Sequence, residues 1–133
     1  MGGQPAEEVY AIGGPDSDDV QVTVRFGNGA SGVISYLTGG NVRFPKETLD
    51  ATGGGRSATL DNFRKATVWA GRGHDTIRAR GGQDKGQRAE LARFVDACAA
   101  GAAMPIPLEA LVAVTRATIA VRESLLSLRP ESV

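Results

Sequence analysis

The chain has 133 residues, enough for one domain whose core needs no disulfide or metal staple. Lys plus Arg and Asp plus Glu each come to 15, so the formal net charge is zero. That balance argues against a nucleic-acid or anionic-membrane partner, which calls for a basic excess, and it does nothing to keep copies of the chain apart.

A single cysteine, Cys98, excludes an internal disulfide. No stretch has the apolar core of a signal peptide or the roughly 18 uncharged apolar residues of a membrane span, so the chain reads as cytoplasmic. Residues 1–15 read as a loosely ordered lead-in, within which EEVYAI could supply one strand. In VQVTVRF, Val20, Val22, Val24 and Phe26 alternate with Gln21, Thr23 and Arg25, the period of a strand with one wet face. Gly27-Asn28-Gly29 then reverses the chain and GVISYL returns, which predicts a β-hairpin over 20–37. The runs ETLDATG, SATLDN, KATVWAG and HDTIRAR follow, separated by Gly53-Gly54-Gly55, Asp61-Asn62 and Gly71-Arg72-Gly73. Strand-length runs between turn residues predict an antiparallel meander across 20–80.

After residue 85 the period changes. Leu91, Phe94, Val95 and Cys98 fall at i, i+3, i+4 and i+7, one face of an amphipathic helix that Gly101 stops. On that face Cys98 is expected to be a small buried hydrophobe. The prolines of MPIP make an extended connection. A second helix over roughly 107–127 starts at Pro107 and ends before Arg129-Pro130. Its polar stripe is narrow (Glu109, Arg116, Glu123), so it is expected to pack on more than one side. The whole reads as a single α+β domain, residues 1–133, with helices over 85–128. One open, mostly antiparallel sheet carries both helices on one face. Its other face, with Trp69 or its neighbours, is left for oligomerisation.

Residues 81–91, GGQDKGQRAEL, invite a phosphate-loop reading, because glycine-rich loops that open helices present free N–H groups. The order Lys85-Gly86-Gln87 lacks the hydroxyl of a Walker loop, and no βαβ unit surrounds a glycine cluster. A simpler account has Asp84 capping the helix. His74 is the sole histidine and with Cys98 cannot complete a zinc site. Asp16, Asp18 and Asp19 lack EF-hand spacing and read as a solvated loop. Lys46, in Phe44-Pro45-Lys46-Glu47, could polarise a hydroxyl or carbonyl or bind a phosphate; the simpler account is a surface lysine paired with Glu47.

Taken together, DDVQVTVRFGNGASGVISYLTGG, FPKETLDATGGG, ATLDNFRKATVW, GGQDKGQRAELARFVDACAAG and PIPLEALVAVTRATIAVRESL resemble the C-terminal domain of the Gfo/Idh/MocA oxidoreductases. The stretches occur in that family's order from about residue 16 onward, and FPKE, QDKG and PIP-x-E are the most specific of them. The branch most similar carries a zinc-type alcohol dehydrogenase module ahead of the Gfo/Idh/MocA module.

The resemblance implies an open antiparallel sheet backed by helices, with an exposed face that builds a homo-oligomer. It implies a domain that closes the substrate site over a nicotinamide held by a separate Rossmann domain. Substrates of the family are sugars, nucleotide sugars, inositols and related polyols, oxidised with NAD or NADP. The Rossmann domain, the Glu-Lys-Pro motif and the Asp and His motif of the family do not occur here, and Gln87 stands where relatives often have histidine. The sequence is thus expected to bind no cofactor or metal by itself and to carry no catalytic residue. Phe44, Lys46 and Lys85 are its substrate-side candidates. The expected role is the substrate-side and assembly portion of an NAD(P)-dependent oxidoreductase, with a Rossmann-domain partner. The alternative is a free-standing, non-catalytic binding or oligomerisation module with the same sheet.

Overall fold

A computed structural model describes residues 4–14 and 18–133. Its elements are β1 (Ala6–Gly13), β2 (Val20–Phe26), β3 (Ser31–Tyr36), β4 (Thr48–Gly53), β5 (Arg56–Asp61), β6 (Lys65–Ala70), β7 (Gly73–Arg78), α1 (Gln87–Ala100), α2 (Leu108–Ser127) and β8 (Glu131–Ser132). The fold is α+β, and every strand pairing is antiparallel. The strands form two sheets of four, ordered β3-β2-β1-β8 and β4-β5-β6-β7, where the sequence suggests one. The break follows from residues 37–47, whose glycines and Pro45 form no strand and leave β4 to pair only with β5. The chain divides into two compact units, residues 1–40 with 97–133 and residues 41–96.

In the first unit Ala6–Gly13, which includes EEVYAI, forms a strand at the structural centre. Strand β1 lies between β2 and β8, and it packs against α2. Val9 is 1% exposed and Ala11 0%, and they form the core with Val22 and Ala120. The helix approaches through a stripe of small residues, Ala113, Ala117, Ala120 and Ser124, flanked by Val121 and Leu125. Without long side chains in the way the helix can settle close to the strand.

Ser124 is fully buried yet satisfied. Its Oγ accepts the Ala11 N–H at 2.9 Å and donates to the Arg129 carbonyl at 2.5 Å. One hydroxyl thereby joins a strand, a helix and the segment that turns back after the helix. Leu128, at φ 56°, ends α2, and its N–H returns to the Ser124 carbonyl at 2.8 Å. The chain then adds β8 beside β1, with the Val133 N–H reaching the Glu7 carbonyl at 3.0 Å. On the side of α2 opposite the sheet, Leu108, Leu111, Val112, Ile119 and Leu126 are exposed.

Helix α1 ends as the sequence predicts. Gly101 takes φ 59°, its N–H bonds the Cys98 carbonyl, and the Ala102 N–H bonds the Ala97 carbonyl, the paired pattern of a Schellman motif. The burial expected of this helix does not follow: Leu91, Phe94, Val95 and Cys98 are all exposed, and Ala97 is its one buried residue. Periodicity finds the apolar face but says nothing about whether something covers it.

In the second unit the register separates two faces. Leu49, Leu60, Ala66 and Ile77 stand side by side across the four strands, with Ala51, Ala58, Val68 and Asp75 in the next row. The other face carries Asp50, Thr59, Thr67 and Thr76 in one row and Thr52, Ser57, Trp69 and His74 in another. Thr67 is the only buried residue of this sheet, and its hydroxyl shares a 3.3 Å hydrogen bond with that of Thr76.

Candidate functional site

The three substrate-side candidates come together at one end of the second sheet. Phe44, Lys46 and Lys85 line an open hollow of about 690 Å³, along with Arg43, Glu47, Asp61, Asn62, Arg64 and Gln83. Three segments build it: residues 42–47 ahead of β4, the β5–β6 turn, and residues 83–85 ahead of α1.

The turn is unusual in composition. Asn62 and Phe63 both take positive φ, 47° and 53°, and the Arg64 N–H closes the turn on the Asp61 carbonyl at 2.8 Å. Positive φ at both central residues matches the right-handed twist of the flanking strands. Asn tolerates that conformation; Phe seldom adopts it. Phe63 is held there from two directions. Its carbonyl accepts the Asp84 N–H at 3.2 Å, and the Lys85 ammonium lies 5.8 Å from its ring centroid.

Glu47 is the hub of the hollow. Its carboxylate accepts from Lys85 Nζ and, at 3.1 Å, from Gln83 Nε2, while its backbone carbonyl accepts the Asn62 N–H at 2.7 Å. Gln83 also donates to Asn62 Oδ1 at 2.9 Å. The ammonium of Lys85, donating to Glu47, holds this carboxyl below the usual glutamate range; partial desolvation opposes the shift, and Gln83 and Lys46 add to it. The simple pairing of Lys46 with Glu47 therefore gives way to Lys85 as the partner. FPKE, DNFR and QDKG, far apart in the sequence, tie one set of loops together. Lys85 is thus engaged in structure, whereas Phe44 is 72% exposed and Lys46 has no ion pair among the described residues.

Asp84 acts one step earlier than a helix cap. Its carboxylate accepts the Gly86 N–H at 2.9 Å, and the Gly86 carbonyl accepts the first helical bond, from Glu90. This leaves GGQDKG as a fixed turn into α1. The dinucleotide spacing G-x-G-x-x-G occurs once, from Gly27 to Gly32. It spans the β2–β3 hairpin turn and opens a strand instead of a helix, so it offers no helix N-terminus to a phosphate.

Elsewhere, His74 is exposed beside Trp69, with ring centroids 6.2 Å apart. Among the described residues no group of three His, Cys, Asp or Glu side chains is placed to hold a metal ion. Of the acidic cluster, Asp16 lies outside the described residues, and Asp19 accepts from the Thr38 N–H and hydroxyl at 2.6 and 2.8 Å. No described helix is long and apolar enough to cross a membrane.

No protein-family model matches the sequence, and neither does any curated protein sequence. Solved structures do match in fold. An oxidoreductase from Agrobacterium radiobacter, determined with NAD+, L-tartaric acid and magnesium, superposes with a TM-score of 0.75 at 14% identity, over 96% of this chain and 43% of its own. An aldose-aldose oxidoreductase from Caulobacter crescentus, complexed with glycerol, gives 0.71 at 16% identity, over 98% and 42%. A UDP-N-acetylglucosamine 3-dehydrogenase from Acidithiobacillus ferrooxidans gives 0.70 at 19% identity, over 94% and 42%. The chain spans well under half of the length of each. The structure neighbours are of the Gfo/Idh/MocA type, and the chain has the fold of part of such an oxidoreductase.

Proposed function

We propose that this chain is the substrate-side and assembly portion of an NAD(P)-dependent oxidoreductase of sugars, nucleotide sugars or polyols, a cytoplasmic enzyme whose nicotinamide sits in a separate Rossmann domain. The observation that carries the reading is the fold shared with such oxidoreductases over nearly the whole chain, together with the matched motifs that meet at one hollow. By itself the chain binds no cofactor and is not catalytic. Its Lys46 and Phe44 face the hollow as ligand contacts, and Lys85 positions the loops through Glu47. Assembly as a homo-oligomer draws support from the apolar row Leu49, Leu60, Ala66 and Ile77, exposed at Leu49 and Ile77, and from the outer stripe of α2.

Ligand-detected NMR of the chain with a panel of sugars, sugar phosphates, nucleotide sugars and inositols tests the reading, alongside a nicotinamide-reduction assay. Saturation transfer to at least one panel member is expected, with no NADH or NADPH formed. Nicotinamide reduction by the pure chain, or a panel with no binder, overturns the reading. The second reading, a free-standing binding or oligomerisation module, rests on the same exposed faces. It is favoured if the chain forms stable oligomers and a Rossmann-domain protein encoded beside it neither associates with it nor gains dehydrogenase activity from it.

A further inference from the structure

The hollow holds more positive charge than its own contacts neutralise. Lys85 answers Glu47, which leaves Arg43, Lys46 and Arg64 lining the same space with no side-chain hydrogen bond or ion pair among the described residues. One carboxylate without a partner, Asp61, stands against these three cations. The chain as a whole is neutral, so the excess is local to this hollow. At about 690 Å³ the space lies within the roughly 300–1,000 Å³ range of small-molecule sites.

We propose that the hollow binds a phosphate-bearing ligand, with Arg43, Lys46 and Arg64 on the phosphate and the ring of Phe44 against the rest of the molecule. Guanidinium groups offer paired N–H donors that match phosphate oxygens, and a lysine supplies a compact point charge. The backbones carrying these cations are already joined: Glu47 sits next to Lys46 and bonds Asn62 and Gln83, and the turn that holds Asn62 holds Arg64. A site whose loops are set before the ligand arrives loses less to ordering on binding. The exposed Phe44 ring supplies a surface on which a sugar ring or a base can lie. This inference rests on the substrate-side reading above and narrows its ligand to a phosphorylated sugar or a nucleotide sugar.

The test is titration of the full chain, followed by NMR and calorimetry, with five probes: inorganic phosphate, glucose 1-phosphate, UDP-glucose, glucose and myo-inositol. The phosphorylated sugars should bind with shifts at Arg43, Phe44, Lys46 and Arg64, and more weakly as salt rises. The double variant Arg43→Ala/Arg64→Ala should lose about tenfold or more in affinity, in keeping with lost charge-assisted hydrogen bonds. Arg72→Ala, on the β6–β7 turn, should bind as the native chain does, and unchanged thermal unfolding will show that each variant is folded. Equal affinity of the double variant, or no binding of any phosphorylated probe, overturns the inference. Binding of glucose or myo-inositol alone overturns it while leaving the substrate-side reading in place. Inorganic phosphate binding as tightly as both sugar phosphates upholds the phosphate site and counts against that reading.

Discussion

The two units are built from similar strands and are stabilised differently. The first has a helix laid across its sheet, with Val9, Ala11, Val22 and Ala120 withdrawn from water and a buried serine satisfied on both sides. The second has four strands of good register and buries only Thr67, with loop hydrogen bonds gathered at Glu47. Apolar burial is the dominant favourable contribution to folding, while backbone ladders return little net free energy. The first unit therefore resembles a finished core, and the second a sheet whose apolar row awaits cover.

The largest expected effect breaks the first unit. Ser124→Ala leaves the buried Ala11 N–H and the Arg129 carbonyl without their partner, at a cost of about 2–3 kcal/mol. Urea titration by circular dichroism, with hydrogen exchange at β1, should register it, and an unchanged midpoint would show that the hydroxyl is dispensable.

The next prediction sharpens the contrast through the bare face. If copies meet through the apolar row, Leu49→Lys with Ile77→Lys should convert an oligomer to a monomer on size-exclusion chromatography and leave the circular dichroism unchanged. An oligomer that survives both changes places its interface elsewhere.

Smaller still is Gly101→Ala. Open space surrounds the site, so the cost is confined to backbone strain at φ 59°, about 1 kcal/mol. Thermal unfolding of the two proteins side by side measures it.

The smallest effect concerns Glu47. Its carboxyl is held below the ordinary range, so its contribution is present above the unfolded value and is lost as pH falls through the lowered folded value. Exchange of the Asn62 amide should quicken across that acid window, and Glu47→Gln should remove the dependence. A dependence that persists in the variant would assign it to another group.

Much of the molecule was legible from periodicity. The hairpin, the four later strands and both helices fall where alternation and the i, i+3, i+4 pattern put them, because local sterics and one-sided burial impose those periods. Three features were hidden for physical reasons. Two residues, Glu131 and Ser132, are too few to show a period, and only their partner β1 makes them a strand. The division into two sheets depends on pairing across the chain, which alternation within a run does not record. Exposure of Leu91 and Phe94 is equally silent, since an apolar face reads the same with or without a cover.

The site was legible in part. Phe44, Lys46 and Lys85 were singled out, and they do line one hollow. Arg43 and Arg64 carry no mark in the sequence, because only the folded turn brings residue 64 beside residues 43–47. The roles of Glu47 and Gln83 needed the hydrogen bonds themselves. A turn built on Asn-Phe was the one local signal available, since a bulky residue at positive φ asks what holds it there.

The bond between Ala11 and Ser124 spans 113 positions of sequence. The second unit is one continuous stretch, and the first is made of two stretches on either side of it. During synthesis the ribosome therefore completes the four-stranded sheet of residues 41–96 before α2 exists. Val9 and Ala11 must wait in solvent until α2 emerges, so docking of that helix is the late, long-range step of folding. A pause in translation between the two helices would lengthen that wait and expose β1 to capture by chaperones or by a neighbouring chain.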